Sequence, residues 1–211
     1  MKIFRNGLIT GLILQLAIGP VFFFIVNLVL QRTFFDGLAG VIAVTLVDYL
    51  YITLSIFGIS KLLKNEKIKK IFGIISSIVL IFFGLIFING VISHGLAISS
   101  VITSTNIFSS FAFVFILTIS NPMTIIFFTS VFTAKAVEYK YEKRDILIFG
   151  LGTGFATFIF MGISVIVFSL IKENVPDMLI IVLNILVGCL LIGYGAVRLV
   201  KTLREDKSKV F

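Results

Sequence analysis

Residues 6–31 read NGLITGLILQLAIGPVFFFIVNLVLQ, an apolar run without a charged side chain. As a helix, this run is long enough to cross a hydrocarbon layer about 30 Å thick. Because no water at that depth can pair with backbone groups, such a run must be helical, and it lacks the strict alternation of a barrel strand. Pro20 stands in its middle and cannot donate a backbone hydrogen bond. The stretch therefore predicts a transmembrane helix that is interrupted near its centre.

Five further apolar runs follow, separated by charged or polar segments. Hydrophobic residues make up 59% of the chain and charged residues 13%, about half the charged share of an average soluble domain. The chain therefore lacks the polar shell of a soluble bundle. We expect an all-α integral membrane protein with six transmembrane helices in a single domain, 1–211. The five further runs cover residues 37–60, 71–93, 107–134, 146–171 and 178–197.

The basic residues are distributed unevenly between the loops. Sixteen of the 18 lysines and arginines fall at the N-terminus, in the second and fourth loops and after the last apolar run, from Arg198 onward. Since such residues are retained on the cytoplasmic side, both termini are predicted inside, with 201–211 as a cytoplasmic tail. This topology signal explains the net charge of +8 and leaves no basic face for nucleic acid. The expected surrounding is the lipid bilayer of a bacterial inner or plasma membrane, because outer-membrane proteins are barrels.

Two of the three prolines occupy corresponding places in the first and fourth predicted helices. The pairs Gly19-Pro20 and Asn121-Pro122 coincide when the two helices are aligned. Each half has three helices, an odd number, so the second half begins outside when the first begins inside. The sequence therefore predicts an inverted repeat, with the first copy over about 1–93 and the second over about 107–200. Many secondary transporters have this architecture, with the substrate near the midplane where helices are interrupted.

The two prolines also leave backbone carbonyls without their usual partners. Neither proline can donate to the carbonyl four residues earlier, on Leu16 or on Thr118. A carbonyl left free at membrane depth can accept a hydrogen bond from a substrate's ammonium group, and Gly19 lets a ligand approach the backbone closely. The alternative is that the prolines only kink their helices and that water or hydroxyl groups meet the carbonyls.

One acidic residue, Asp48, lies at the midpoint of the second predicted helix, while the other nine fall in loops or the tail. A carboxylate at the bilayer centre costs about 2.5 to 3.5 kcal/mol on insertion scales, so it should face the protein interior or a wet cavity. Thr45 and Tyr51 lie within about 60° of Asp48 on the helix. At this site a proton and a cationic substrate would compete, which would couple the two fluxes. The alternative is a permanently protonated Asp48 that only bonds a neighbouring helix.

Four amide side chains and two glycine pairs lie within predicted helices. An amide in a membrane helix more often bonds a neighbouring helix than a ligand, and a small-xxx-small spacing permits close helix approach. The residues are Gln15, Asn27, Asn89 and Asn184, and the pairs are Gly7 with Gly11 and Gly150 with Gly154.

The composition disfavours catalysis and metal binding. An intramembrane protease needs a second acid, or a histidine at depth, and His94 falls in an outer loop. No Gly-x-x-x-x-Gly-Lys-[Ser/Thr] nucleotide-binding motif is present. We therefore expect no enzyme and no cofactor. A heavy-metal exporter is the nearest functional rival, although one Cys189, one His94 and one Asp48 make a poor ligand set. A non-transporting membrane scaffold is the rival from another class.

Four short segments, taken in order, resemble the motifs of a known family. The chain is similar to the lysine exporter (LysE/RhtB) family of six-helix amino-acid exporters, and the resemblance covers nearly its whole length. The segments are GLILQLAIGP at 11–20, the glycine-bearing turn at 32–40, the acid and Phe-Gly stretch within 47–58, and TISNP at 118–122.

The resemblance implies secondary export of basic or neutral amino acids and related small solutes, driven by the membrane potential or by protons. Two departures make assignment of a substrate by analogy unsafe: Ile18 replaces a proline found in many members, and Met123 replaces a frequent lysine. The sequence leaves open whether the chain works as a monomer or as a homodimer. By position, the translocation site would centre on Gly19, Pro20, Asp48, Asn121 and Pro122, with Gln15, Thr45, Tyr51 and Thr118 completing the predicted substrate and proton pathway.

Overall fold

The computed structural model describes residues 1–16, 18–57, 66–94, 106–121 and 123–207. Over these ranges it contains α-helices, one short 3-10 segment at Lys172–Asn174 and no strand, which confirms the all-α class. The helices are α1 Lys2–Gln15, α2 Pro20–Gln31, α3 Phe34–Ile56, α4 Glu66–His94, α5 Ile107–Ile119, α6 Met123–Tyr139, α7 Lys143–Ile171 and α8 Asp177–Lys207.

Three segments of the described chain are long and apolar enough to cross a membrane alone. They are Phe34–Ile56, Lys143–Asn174 and Met178–Arg204. The apolar part of α4, Gly73–Asn89, is shorter. Many large apolar side chains on these helices point outward, Leu46 and Leu170 among them, as expected of surfaces that face lipid. The protein is therefore a multi-pass helical membrane protein.

Two more spans result when each of two bent helix pairs is counted as one. Helices α1 and α2 meet at an angle of 81°, and α5 and α6 at 66°. We call the segment between α1 and α2 the first break and the segment between α5 and α6 the second break. The described residues thus contain three to five elements of membrane-spanning length.

The first break falls at the predicted proline. Helix α1 ends at Gln15, and Pro20 is the first residue of α2. Gly19 caps α2 in an extended conformation, with φ −117° and ψ 179°. Proline suits the first helical position because its missing N–H would have no partner there in any residue. The second break follows Ile119, and Pro122 within it lies outside the described residues.

Helix α3 lies at the centre of the bundle, in contact with α2, α5, α6 and α7. Around it, α1 packs along α7, and α4 packs along α8. Two apolar clusters adjoin α3 at successive levels. One includes Val41 and Val44, and the other includes Val47 and Tyr51. Asp48 lies on the same helix between Val47 and Tyr51 and one turn from Val44, so it adjoins both clusters.

Glycines bring α1 and α7 into backbone contact. A Cβ atom at Gly7 would stand 2.1 Å from the carbonyl oxygen of Phe149, and one at Gly152 would stand 2.2 Å from that of Phe4. Gly11 lies in the same interface, which agrees with the predicted close approach of the Gly7 and Gly11 pair. Gly150 and Gly154 instead face side chains of α3, so the α7 glycine opposite α1 is Gly152, which the spacing did not single out.

We predict that Gly152→Ala lowers the thermal stability of the purified protein, because the added methyl group has no room against the α1 backbone. Overpacking of this kind costs about 1–3 kcal/mol. Gly162→Ala is the matched control on the same helix, since a Cβ there meets no atom within 4 Å. The measurement is the midpoint of thermal aggregation in detergent. Equal midpoints for the two variants would contradict the packing described for α1 and α7.

Candidate functional site

Asp48 is buried in the protein interior, with 7% of its surface exposed. One carboxylate oxygen, Oδ2, accepts a hydrogen bond of 2.7 Å from the hydroxyl group of Thr157 on α7. Within the described ranges no lysine, arginine or histidine forms an ion pair with Asp48. The carboxyl group is thus held by a neutral donor and remains open to a cationic partner.

The Asp48 carboxylate ends a chain of hydrogen bonds across three helices. Gln15 at the end of α1 donates through Nε2 to the Thr157 hydroxyl oxygen at 2.6 Å. That hydroxyl has a single proton, which it gives to Asp48. The hydrogen bonds are donated in one direction, from α1 to α7 to α3, and the Asp48 carboxylate is the final acceptor. This arrangement also makes Thr157 the residue that fixes the carboxylate.

A cavity of about 280 Å³ lies beside this chain. Pockets for small molecules generally measure about 300–1,000 Å³, so the space suits a small solute. Both breaks contribute to its wall: Gly19 from the first, followed by Pro20 at the start of α2, and Asn121 from the second. Further polar side chains, Asp48 among them, and apolar side chains such as Phe128 complete the wall. The cavity therefore lies where the two interrupted helices meet.

The structure brings together most of the residues predicted for the site. Thr45 and Tyr51 are the described exceptions, because neither lines the cavity. The Thr45 hydroxyl donates to the carbonyl of Val41 within its own helix at 2.7 Å. Pro122 lies outside the described residues. The predicted residues that line the cavity are Gln15, Gly19, Pro20, Asp48, Thr118 and Asn121.

The second break is held from α3 by two hydroxyl groups. Tyr51 donates to the carbonyl oxygen of Ile119 at 2.7 Å, on the α5 side. The Ser55 hydroxyl lies 2.8 Å from the carbonyl oxygen of Ile125, on the α6 side, and 2.7 Å from that of Tyr51 in its own helix, so its single proton has two acceptors within reach. The carbonyl of Thr118 accepts the backbone N–H of Asn121 at 3.1 Å. The expectation of a free carbonyl on Thr118 is therefore wrong, because a tighter last turn of α5 supplies the missing donor.

Arg198 of α8 also reaches the second break. Its Nη1 donates to Oδ1 of Asn121 at 2.9 Å, and the guanidinium is half-buried. The sequence counted Arg198 among the basic residues that follow the last apolar run, which ends at Val197. Helix α8 instead continues to Lys207 and directs this arginine towards the break. Sequence reasoning missed both Arg198 and Thr157, although Thr153 and Thr157 form a polar pair one helical turn apart.

Two further polar groups tie helices together away from the cavity. Asp36, expected in a loop, is buried in the first turn of α3 and accepts hydrogen bonds from Thr33 at 2.6 Å and Ser110 at 2.5 Å. Asn27 of α2 donates to the side-chain oxygen of Asn184 on α8, which agrees with the interhelical role predicted for these amides. In the part of the chain that the structure describes, no group of three or more acidic, histidine or cysteine side chains could hold a metal ion.

The fold and the cavity together define a helical membrane protein with a small chamber between two interrupted helices. The family model of LysE type translocators matches residues 12–202, nearly the whole chain. The chain therefore belongs to the LysE type translocator family, which confirms the resemblance seen in the sequence. Members of this family are transporters of small solutes, not enzymes. Searches among curated proteins and among solved structures returned no significant match.

We predict that Thr157→Val lowers both thermal stability and solute transport. The change leaves the Asp48 carboxylate without its donor and the Gln15 amide without its acceptor, and a buried group that loses its partner costs about 1–3 kcal/mol. Thr157→Ser keeps the hydroxyl and should behave nearly as the unmodified protein. Thermal unfolding in detergent and uptake by proteoliposomes measure the two effects. Indistinguishable valine and serine variants would show that the hydroxyl does not hold Asp48.

Proposed function

We propose that this protein is a secondary active exporter that carries amino acids or related small solutes out of the cytoplasm. The observation that carries the proposal is a single cavity lined by both breaks and by the carboxyl group of Asp48. Substrate sites of secondary transporters commonly lie where discontinuous helices meet near the midplane. The family match over residues 12–202 supports transport of a small solute.

The proposed architecture has six spans, formed by α1 with α2, α3, α4, α5 with α6, α7, and α8. The first three and last three spans would be inverted repeats, with both termini in the cytoplasm of a bacterial cell. The packing pattern supports this pairing. Helix α1 packs along α7, and its counterpart α5 packs along α3; α3 also contacts its counterpart α7, as α4 contacts α8. Such exchanged contacts are what a two-fold relation between halves would produce.

The cavity wall favours a substrate that carries an ammonium group. Asp48 supplies the acidic side chain of the lining. The hydroxyl groups of Thr118 and Thr153 donate to backbone carbonyls of their own helices, at 2.7 Å on Val114 and 3.0 Å on Phe149. Since each hydroxyl has one proton, these two groups can offer only lone pairs to a solute. A donor-rich cation matches such a wall.

Coupling would follow from competition for Asp48. A proton and an ammonium group both neutralise the same carboxylate, so the two cannot occupy it together. If the two halves alternate in exposing the cavity, exchange of one for the other across the membrane links export to the proton gradient or to the membrane potential.

The two rival functions have less support. Export of a heavy metal would call for several thiolate, imidazole or carboxylate ligands, and the described lining contributes Asp48 as its one residue of these types. A membrane scaffold without transport has no need for a polar chamber between broken helices.

We predict that Asp48→Asn abolishes coupled efflux while leaving the fold intact, because the amide keeps the size of the carboxyl group and an oxygen that can accept from Thr157, but it cannot ionise. Proteoliposomes are loaded with a panel of labelled amino acids, including lysine, arginine, threonine and leucine. Efflux is compared with and without an imposed membrane potential and pH gradient. The expected loss is at least about tenfold for the transported solute.

Glu173→Gln is the control, since Glu173 is an exposed acid on the short segment between α7 and α8. It should leave efflux unchanged. Full gradient-dependent efflux by the Asp48→Asn variant would show that Asp48 takes no part in coupling. An absence of efflux for the whole panel in the unmodified protein would refute export of amino acids.

We predict the orientation of the termini from the proposed six spans. In a Cys189→Ser background, a cysteine placed by Glu173→Cys should react with a membrane-impermeant maleimide in intact cells. A cysteine placed by Lys201→Cys, near the end of α8, should react only after the cells are opened. Both positions are exposed, so differences in burial do not confound the comparison. The reverse labelling pattern would place the C-terminus outside.

A further inference from the structure

Arg198 is the basic side chain that the described structure places at the edge of the cavity without lining it. Its Nη1 atom donates to Oδ1 of Asn121, and Asn121 itself lines the cavity. Among the residues that the structure describes, the lining contains no lysine, arginine or histidine. A solute with a carboxylate must therefore be met there by neutral donors.

The contact with Arg198 decides which end of the Asn121 amide faces the solute. A guanidinium group has five N–H donors and no acceptor, so the amide must turn its oxygen towards Arg198. Its NH₂ group is then directed elsewhere, and within the described ranges no acceptor bonds Nδ2. Since Asn121 lines the cavity, this NH₂ group is a donor for whatever occupies it.

The backbone around Asn121 is fixed independently of Arg198. Tyr51 donates to the carbonyl of Ile119 before the break, and the Ser55 hydroxyl contacts the carbonyl of Ile125 after it. Rotation of the Asn121 side chain is the freedom that remains. The hydrogen bond from Arg198 removes this freedom, and a charged donor on Oδ1 also polarises the amide so that its N–H groups donate more strongly.

We propose that Arg198 is a positioning residue that holds the NH₂ group of Asn121 ready for the carboxylate of the substrate, while Asp48 takes the ammonium group. The inference rests on the proposed export function and adds the recognition of the second charged end. With both ends recognised, the site would select solutes that bear an ammonium group and a carboxylate over amines that lack the carboxylate.

The experiment compares solutes that differ only in the carboxylate. Proteoliposomes with the full-length chain are loaded with L-lysine or cadaverine, and in parallel with L-leucine or 3-methylbutylamine. The measured quantity is the ratio of amino-acid efflux to amine efflux. Arg198→Gln should lower this ratio about tenfold, because a hydrogen bond to a charged group is lost or misdirected. Arg198→Lys should restore part of the ratio, since an ammonium group still donates to Oδ1.

Arg204→Gln is the matched control, because Arg204 is exposed on the same helix and the change removes the same charge. It should leave the ratio unchanged. Asn121→Asp is the second test: it keeps an acceptor for Arg198 but replaces the NH₂ donor by an oxygen, so the ratio should fall while the fold is maintained by an ion pair. Elution as a single species in detergent verifies folding of each variant.

An unchanged ratio in Arg198→Gln and Asn121→Asp would overturn the inference, and so would equal losses of amino-acid and amine efflux, which indicate a merely structural role. In both cases the unmodified protein still exports, and the proposed function stands. If the unmodified protein releases no amino acid of the panel, the proposed function fails, and the inference fails with it.

Discussion

A helix that is interrupted inside a membrane leaves backbone groups without partners, and this constraint organises the centre of the bundle. At the second break one partner comes from α3, where Tyr51 donates to the carbonyl of Ile119 at the end of α5. The same helix carries Asp48, which lines the cavity. A residue that binds the break and the charged group of the site therefore lie one turn apart on the same helix.

The Asp48 carboxylate connects the two halves of the chain. Thr157 of α7 donates to it and in turn accepts from Gln15 of α1, so one hydrogen-bond chain crosses from the first half to the second and back. A bound proton or ammonium group neutralises the Asp48 carboxylate and so weakens its hydrogen bond with the Thr157 hydroxyl. Such a ligand can shift the arrangement of the halves only by its difference in affinity for two states, and this chain gives that difference a physical origin.

The helices and the first break were predictable because they depend on apolar length and on the missing N–H of proline. The interior position of Asp48 was predictable because a charge in lipid is costly. Thr157 and Arg198 were not, since their roles depend on which helices pack together, a property that the spacing of residues along one helix does not contain. Thr45 shows the limit of helical angles: it shares a side of α3 with Asp48, yet its hydroxyl is satisfied by the carbonyl of Val41.

The two breaks are alike in sequence but are held differently. Gln15 before the first break bonds a neutral hydroxyl on α7, whereas Asn121 in the second bonds the guanidinium of Arg198. This asymmetry cannot by itself drive net export, because a carrier that only exchanges conformations leaves the equilibrium between two compartments unchanged. It can orient a solute with two charged ends. Direction must then come from a gradient, and Asp48, as the acidic group of the cavity wall, is where a gradient of protons or charge can act on the bound solute.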